Sequence, residues 1–181
     1  MKWKVIASEY LHQEPWLTIR KDQCQLPNGK LVPAFYVNEY ADWVNVFGVT
    51  KDDQVVMVKQ YRHGIEEVGI ELPGGVAEPG EDPETAARRE VLEETGFEFE
   101  TYEYLGKTSA NPSTTNNFTH MFLATGGEKK WDQSLDETED LEVVILSLEE
   151  VKALVRENKI MQSLHVNTIF YALDKISQLN Y

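Results

Sequence analysis

The chain has 181 residues, 41% of them hydrophobic and 10% aromatic, which suits one packed domain and excludes a disordered chain. Seventeen basic residues against 31 acidic ones leave a net charge of −14, which argues against a nucleic-acid coat or an anionic membrane surface as partner. A small phosphorylated ligand stays open, because bound divalent cations reverse the local sign. Cys24 is the single cysteine, so no intrachain disulfide forms and a cysteine-based zinc site is disfavoured. No apolar run reads as a secretory signal or reaches the ~20 residues of a membrane span, so the expected setting is cytoplasmic.

The first third reads as strands. "WLTIRKDQCQL" and "KLVPAFYVNE" flank "PNG", where Asn28-Gly29 signals a hairpin. "DWVNVFGVT" and "QVVMVKQYR" follow across the polar turn "KDD", and their Val and Phe content predicts burial. After Gly74-Gly75, Asp82 as N-cap, Pro83 at the first helical position and Gly96 as stop bound one helix. "EFETYEYLGKTSA", "FTHMFLATGG" and "LEVVILS" predict further strands. Ser147 to Glu150 forms a capping box for a helix through about Glu157, and a last helix is expected from about Ser163 to Leu179. The sum is an α+β chain, a mixed sheet between helices in an α/β/α sandwich. Residues 1–40 are expected to form an N-terminal β-strand or hairpin extension, for dimerisation or for covering substrate, ahead of a main domain over 41–181.

The helix raises a question of charge. At 100° per residue, Glu94 lies about 40° round from Glu90, and Glu93 about 60° the other way. Three carboxylates on one face repel by a few tenths of a kcal/mol per pair. Arg89, four residues before Glu93, can hold that carboxylate. One reading is a solvated acidic face laced by Glu84–Arg88 and Arg89–Glu93 salt bridges. The other is a cation site. Glu81 adds a fourth carboxylate just before the helix, and Gly74-Gly75 lets the backbone turn sharply and expose a carbonyl. Hard oxygen ligands beside an open loop suit Mg²⁺, which keeps several waters and binds substrate phosphates.

Gly75, five residues, Glu81, seven residues, and then Arg89-Glu90-Val91-Leu92-Glu93-Glu94-Thr95-Gly96-Phe97 resemble the Nudix box, G-x5-E-x7-R-E-U-x-E-E-x-G-U, at every fixed letter. Phe97 stands where a bulky aliphatic is usual, with only a packing consequence expected. The resemblance implies a Nudix hydrolase domain over 41–181 that cleaves a nucleoside diphosphate linked to another moiety. By the same resemblance, Glu90 and Glu94 are the principal Mg²⁺ ligands, with Mn²⁺ as a substitute. Glu93 is a further ligand or a bridge to metal-bound water, and the Gly74 carbonyl is an additional ligand. Arg89 orients the helix glutamates, and Glu81 has a structural or metal-shell role.

"QYR" at Gln60 to Arg62 and "ELPGG" at Glu71 to Gly75 resemble the branch that hydrolyses ADP-ribose and nucleoside diphosphate sugars, although that branch commonly has alanine where Gly74 stands. Pro112, sixteen residues past Gly96, is at the offset that the family associates with ADP-ribose hydrolysis. Arg62 offers a fork of donors for phosphate, or is a surface arginine at a strand end. Glu71 serves the metal shell or sugar hydroxyls, or is a strand-end surface carboxylate. In related pyrophosphatases a glutamate of the acidic loop "DQSLDETEDLEVV" takes the proton of the attacking water. Glu137 and Glu139 are the candidates, with Glu137 preferred, beside the plain reading of a solvated acidic loop. Trp16 is the candidate for stacking on the nucleobase, often across a dimer in such enzymes, with Trp3 and Trp43 as rivals. His63 is well placed for a phosphate. The resemblance thus implies a homodimeric, Mg²⁺-dependent pyrophosphatase giving a nucleoside monophosphate and a sugar phosphate. A Nudix hydrolase of a dinucleoside polyphosphate or a nucleoside triphosphate is the alternative, and a sensor that binds without cleaving is a third.

Overall fold

The computed structural model describes residues 1–179, which form two compact units. The first comprises Met1–Asp42 and Ser109–Phe118. Strands β1 (Lys4–Glu14), β2 (Leu17–Gln25) and β3 (Leu31–Glu39) make an antiparallel sheet in that order. The turn at Asn28-Gly29 joins β2 to β3 as expected, closed by the Leu26 amide on the Lys30 carbonyl at 2.9 Å. Residues 109–118 attach to the end of β3, where the Asn38 amide donates to the Thr114 carbonyl at 2.7 Å and the Asn117 side chain to the Ala41 carbonyl at 3.0 Å.

The expected two-strand hairpin is therefore a three-stranded sheet. β1 escapes a pattern search because its pairing with β2 slips at Val5/Ala7 and at Tyr10/His12, which breaks the period of two, and because every one of its residues is exposed.

The second unit covers 43–108 and 119–179. Its strands are β4 (Trp43–Thr50), β5 (Gln54–Arg62), β6 (Glu67–Glu71), β7 (Phe97–Glu98), β8 (Thr101–Thr108), β9 (Thr119–Lys129) and β10 (Leu141–Ser147). Its helices are α1 (Pro83–Thr95), α2 (Leu148–Arg156) and α3 (Ser163–Lys175). The main path of the sheet is β10-β5-β4-β9-β7, with β6 on β5 and β8 on β9. β4 and β9 run parallel and the other pairs antiparallel, so the sheet is mixed.

Strand side chains alternate between faces, and here both faces are apolar. Val44, Val46, Val56, Phe122 and Ala124 pack with Ala86, Ala87 and Val91 of α1. Phe47, Val55, Met57 and Leu123 pack with Val151 of α2 and Ile169, Ala172 and Leu173 of α3. This is the α+β sandwich expected, with one helix on one face and two on the other. Burial of a side chain such as Val91, fully inaccessible, contributes about 1.5–3 kcal/mol.

Two boundaries differ from expectation. The segment 98–110 is not one strand, because chain leaves β7 before β8 begins. α3 ends at Lys175 rather than Leu179. Ser177 takes a left-handed conformation, and the amides of Ser177 and Gln178 turn back to the carbonyls of Asp174 and Leu173, a closed C-terminal motif that outweighs the apolar periodicity. Among the described residues no helix is long and apolar enough to cross a membrane.

Candidate active site

α1 begins where the sequence says it must. The Asp82 carboxylate accepts from the amides of Glu84 and Thr85 at 3.1 and 3.3 Å, and Pro83 opens the first turn. Ahead of it, the Pro73 and Gly75 carbonyls accept from the amides of Val46 and Val44 at 3.0 and 2.9 Å, which lays this loop along β4. Between them, the Gly74 amide donates to Glu94 Oε2 at 2.8 Å. Among the described residues nothing donates to the Gly74 carbonyl, which is thereby open as a ligand.

Both glycines are required by space. Gly74 has φ of 153°, and a Cβ there would strike the Val44 carbonyl. A Cβ on Gly75 would occupy the place of the Glu90 carboxylate. Loop and helix are thus in direct contact.

The reading of a solvated acidic face is half right. Glu84 and Arg88 do pair on the surface at 2.7 Å, and Arg89 does reach Glu93 at 3.1 Å. Glu90 and Glu94, however, are buried, at 9% and 6% exposure. Arg89 is a hub: its guanidinium also donates to both oxygens of Glu81 at 3.0 and 3.1 Å, to Glu90 at 2.9 Å and to the Val76 carbonyl at 3.0 Å. Glu81 accepts the Glu78 amide as well, so it braces the loop.

Burial raises the Glu90 carboxyl against the pull of Arg89, with Glu93 and Glu139 adding to the rise. Burial pushes Glu94 up to about 8; the Gly74 amide opposes this, and Glu90 and Glu139 reinforce it. Among the described residues, no three acidic, histidine or cysteine side chains already encircle one point, since Glu90 and Glu93 turn toward Arg89. The donor set nevertheless fits a divalent cation. It consists of hard carboxylate oxygens and a carbonyl, and a dication is the charge that would return Glu94 to its ionised form.

The two loop glutamates are not equivalent. Glu139 is half-buried, its carboxylate accepts the Asp136 amide at 3.0 Å, and it lies close enough to raise Glu90 and Glu94. Glu137 is exposed. The loop is tied to the end of α1: Ser134 donates its amide to the Glu93 carbonyl at 2.8 Å, and Gln133 donates its side-chain amide to the Glu94 carbonyl at 2.7 Å. Nothing local in "WDQSLDETED" singles out Gln133, whose role exists only once the loop meets the helix.

Arg62 and Glu71 pair with each other. Arg62 donates to Glu71 through Nε and Nη2, the latter at 2.6 Å, while its side chain stays 44% exposed. Glu71 is not a surface carboxylate; it is 2% exposed and also meets His165 Nε2 at 3.2 Å. His63, beside Arg62, is exposed, with Nδ1 3.5 Å from the Tyr61 hydroxyl. Sequence reasoning missed His165, Gln162 and Asn45, which with Trp43 and Arg62 line a cleft of about 250 Å³ beside Gly74 and Gly75. The one available signal was Asn45, a lone polar residue inside "WVNVFGV".

In the first unit, Trp16 sits at the β1–β2 turn, 87% exposed, and Pro112 lies on an exposed stretch of the 109–118 loop. Trp3 packs edge-on against Phe35 at 5.8 Å between ring centres.

The domain is thus a mixed sheet between helices that sets a glycine loop against two buried glutamates of one helix. The family model described as NUDIX domain matches residues 40–164, and the chain belongs to the Nudix family of hydrolases. A second, described as nucleoside diphosphate sugar hydrolase N-terminal domain, matches residues 3–38. The chain is 33% identical over 169 residues to the methanol dehydrogenase activator of Bacillus methanolicus, covering 93% of this chain and 91% of that one. It is 32% identical over 171 residues to the ADP-ribose pyrophosphatase of Bacillus subtilis (strain 168), covering 93% and 91%. The crystal structure of an ADP compounds hydrolase superposes with a TM-score of 0.84 at 21% identity, over 99% of this chain and 98% of that one, a likeness of fold. Nudix hydrolases in general use divalent metal ions.

Proposed function

We propose that this protein is a Mg²⁺-dependent pyrophosphatase of ADP-ribose or a similar nucleoside diphosphate sugar, yielding a nucleoside monophosphate and a sugar phosphate. The observation that carries the reading is the contact of Gly74 and Gly75 with Glu94 and Glu90, which brings a complete Nudix box into one carboxylate-and-carbonyl cluster. Relatives named ADP-ribose pyrophosphatase, including one of Mycobacterium tuberculosis at 31% identity, support the substrate class.

In this reading Glu90, Glu94, Glu93 and the Gly74 carbonyl hold the cation. When bound, such ions neutralise the diphosphate and make water a better nucleophile. Arg89 keeps Glu81, Glu90 and Glu93 in place. Glu139 accepts the proton of the attacking water as its oxygen bonds to phosphorus and the bridging P–O bond breaks. Its closeness to Glu90 and Glu94 supports it over Glu137. Arg62 presents the exposed edge of its guanidinium to a phosphate while Glu71 fixes the other edge.

The reading extends to a cytoplasmic homodimer in which residues 1–40 serve as a dimerisation or substrate-covering element and Trp16 stacks on the base, with Pro112 also contacting substrate. The exposure of the Trp16 indole and of Val5, Ile6, Tyr10 and Leu11 on the edge strand β1 supports this, since such an edge is normally covered.

The test is a panel of ADP-ribose, GDP-mannose, UDP-glucose and NADH with Mg²⁺, read by release of AMP, GMP or UMP. Turnover of ADP-ribose to AMP is expected. Release from nucleoside triphosphates or dinucleoside polyphosphates alone would redirect the assignment, and binding without turnover would make the protein a sensor.

A further inference from the structure

Glu71 has two partners of unequal freedom. Arg62 meets it from the end of β5 through Nε and Nη2, while the arginine side chain stays 44% exposed. His165 meets Glu71 Oε2 at 3.2 Å from the first turn of α3 and is 3% exposed. That helix has little freedom to move. Ile169, Ala172 and Leu173, on the same face as His165, pack in the core with Phe47, Met57 and Leu123.

A buried carboxylate is costly unless it is paired, and an exposed arginine that can swing toward solvent does not secure it alone. Burial pushes the Glu71 carboxyl up, but hydrogen bonds from His165 and Arg62 outweigh that and hold it at about 2, so it is ionised and only accepts. His165 Nε2 therefore carries the proton of their hydrogen bond. The imidazole fixes the carboxylate, and the carboxylate fixes the Nε and Nη2 edge of Arg62. Among the described residues Arg62 Nη1 has no partner, and Arg62 lines the cleft beside Gly74 and Gly75. A long arginine that is already ordered loses less freedom when an anion arrives.

We propose that His165 is a positioning residue: through Glu71 it holds the guanidinium fork of Arg62 ready for the diphosphate, so that a residue of α3 sets how tightly substrate binds. The inference rests on the reading of Arg62 as a phosphate-binding residue of a diphosphate hydrolase.

The test adds His165→Leu, which removes the donor, to the wild type and to Arg62→Ala/Glu71→Gln, in which no buried charge awaits a partner. With ADP-ribose and Mg²⁺, the change in the wild-type background should raise KM about three- to tenfold and alter kcat by less than about twofold. In the second background it should leave KM unchanged. His165→Gln, whose amide nitrogen can reach Glu71, should bring KM back to within about twofold of wild type. Where the leucine variant does not fold, His165→Asn, whose amide stops short of Glu71, takes its place. An equal rise of KM in both backgrounds would mean that His165 only builds α3, and would overturn the relay. A wild-type KM in His165→Leu, or a loss confined to kcat, would overturn it too. Calorimetric titration of ADP into the same proteins reads the relation without turnover. A wild type inert toward every diphosphate thus overturns the pyrophosphatase reading while the relay still stands or falls on the titration.

Discussion

The Gly74 amide donates to Glu94 Oε2 at 2.8 Å, across twenty residues of sequence. That bond joins the glycine loop to the helix that carries the cluster, and Glu94→Gln tests what the carboxylate adds beyond it. Glutamine keeps an oxygen for the Gly74 amide, so the thermal melt should stay near that of the wild type. Loss of a hard anionic donor should reduce turnover with Mg²⁺ by at least about 10²-fold and weaken Mn²⁺ binding in a calorimetric titration. Near-normal turnover would remove Glu94 from the cation site.

Gly74→Ala should destabilise the fold by about 1–3 kcal/mol in urea denaturation. The new Cβ meets a main-chain carbonyl of a central strand, Val44, which has no rotamer by which to escape. A variant as stable as wild type would show that the loop can lift from β4. Alanine is common at this position in the branch that the chain resembles, so the result also says how differently this loop is seated.

Arg89→Lys should lower both stability and turnover. A lysine is one point charge on a flexible stem and cannot reproduce the fork that now meets Glu81, Glu90, Glu93 and the Val76 carbonyl. Kinetics at saturating Mg²⁺ should show a loss of about 10–100-fold. Full activity in the lysine variant would mean that charge alone, and not the fork, organises the cluster.

Acid stability should depend on Glu71. Burial pushes its carboxyl up, but hydrogen bonds and charge from His165 and Arg62 outweigh that and hold it down at about 2, below the ordinary 4.5. A depressed folded value means stability that is whole above about pH 4.5 and is lost as the pH falls toward 2. The contribution is about 3 kcal/mol at neutral pH. Urea midpoints measured from pH 7 down to pH 2.5 should fall steadily below pH 4.5 in the wild type, and Glu71→Gln should flatten that limb. The same slope in both proteins would place the acid sensitivity elsewhere.

Much of this molecule is written locally. The start of α1 follows from Asp82 and Pro83 because an N-cap and a proline act within one turn. The capping box at Ser147 and Glu150 begins α2 for the same reason. β4 and β5 are legible because both faces of a central strand are apolar, which makes a dense run of Val and Phe. β1 was not legible, since its slipped register scatters its apolar residues. That Glu139 rather than Glu137 lies near Glu90 and Glu94 was equally out of reach, because it depends on how Gln133 and Ser134 tie a loop to α1.

What the sequence by itself determined is the family, the carboxylate helix and most of the strands other than β1 and β6, all encoded by patterns within a few turns of chain. Only the tertiary structure decided that Glu71 is buried against His165, that Glu139 is the loop acid beside the cluster, and that Asn45, Gln162 and His165 share one cleft. Those facts join residues scores of positions apart, and burial and charge proximity are properties of packing that no local pattern carries.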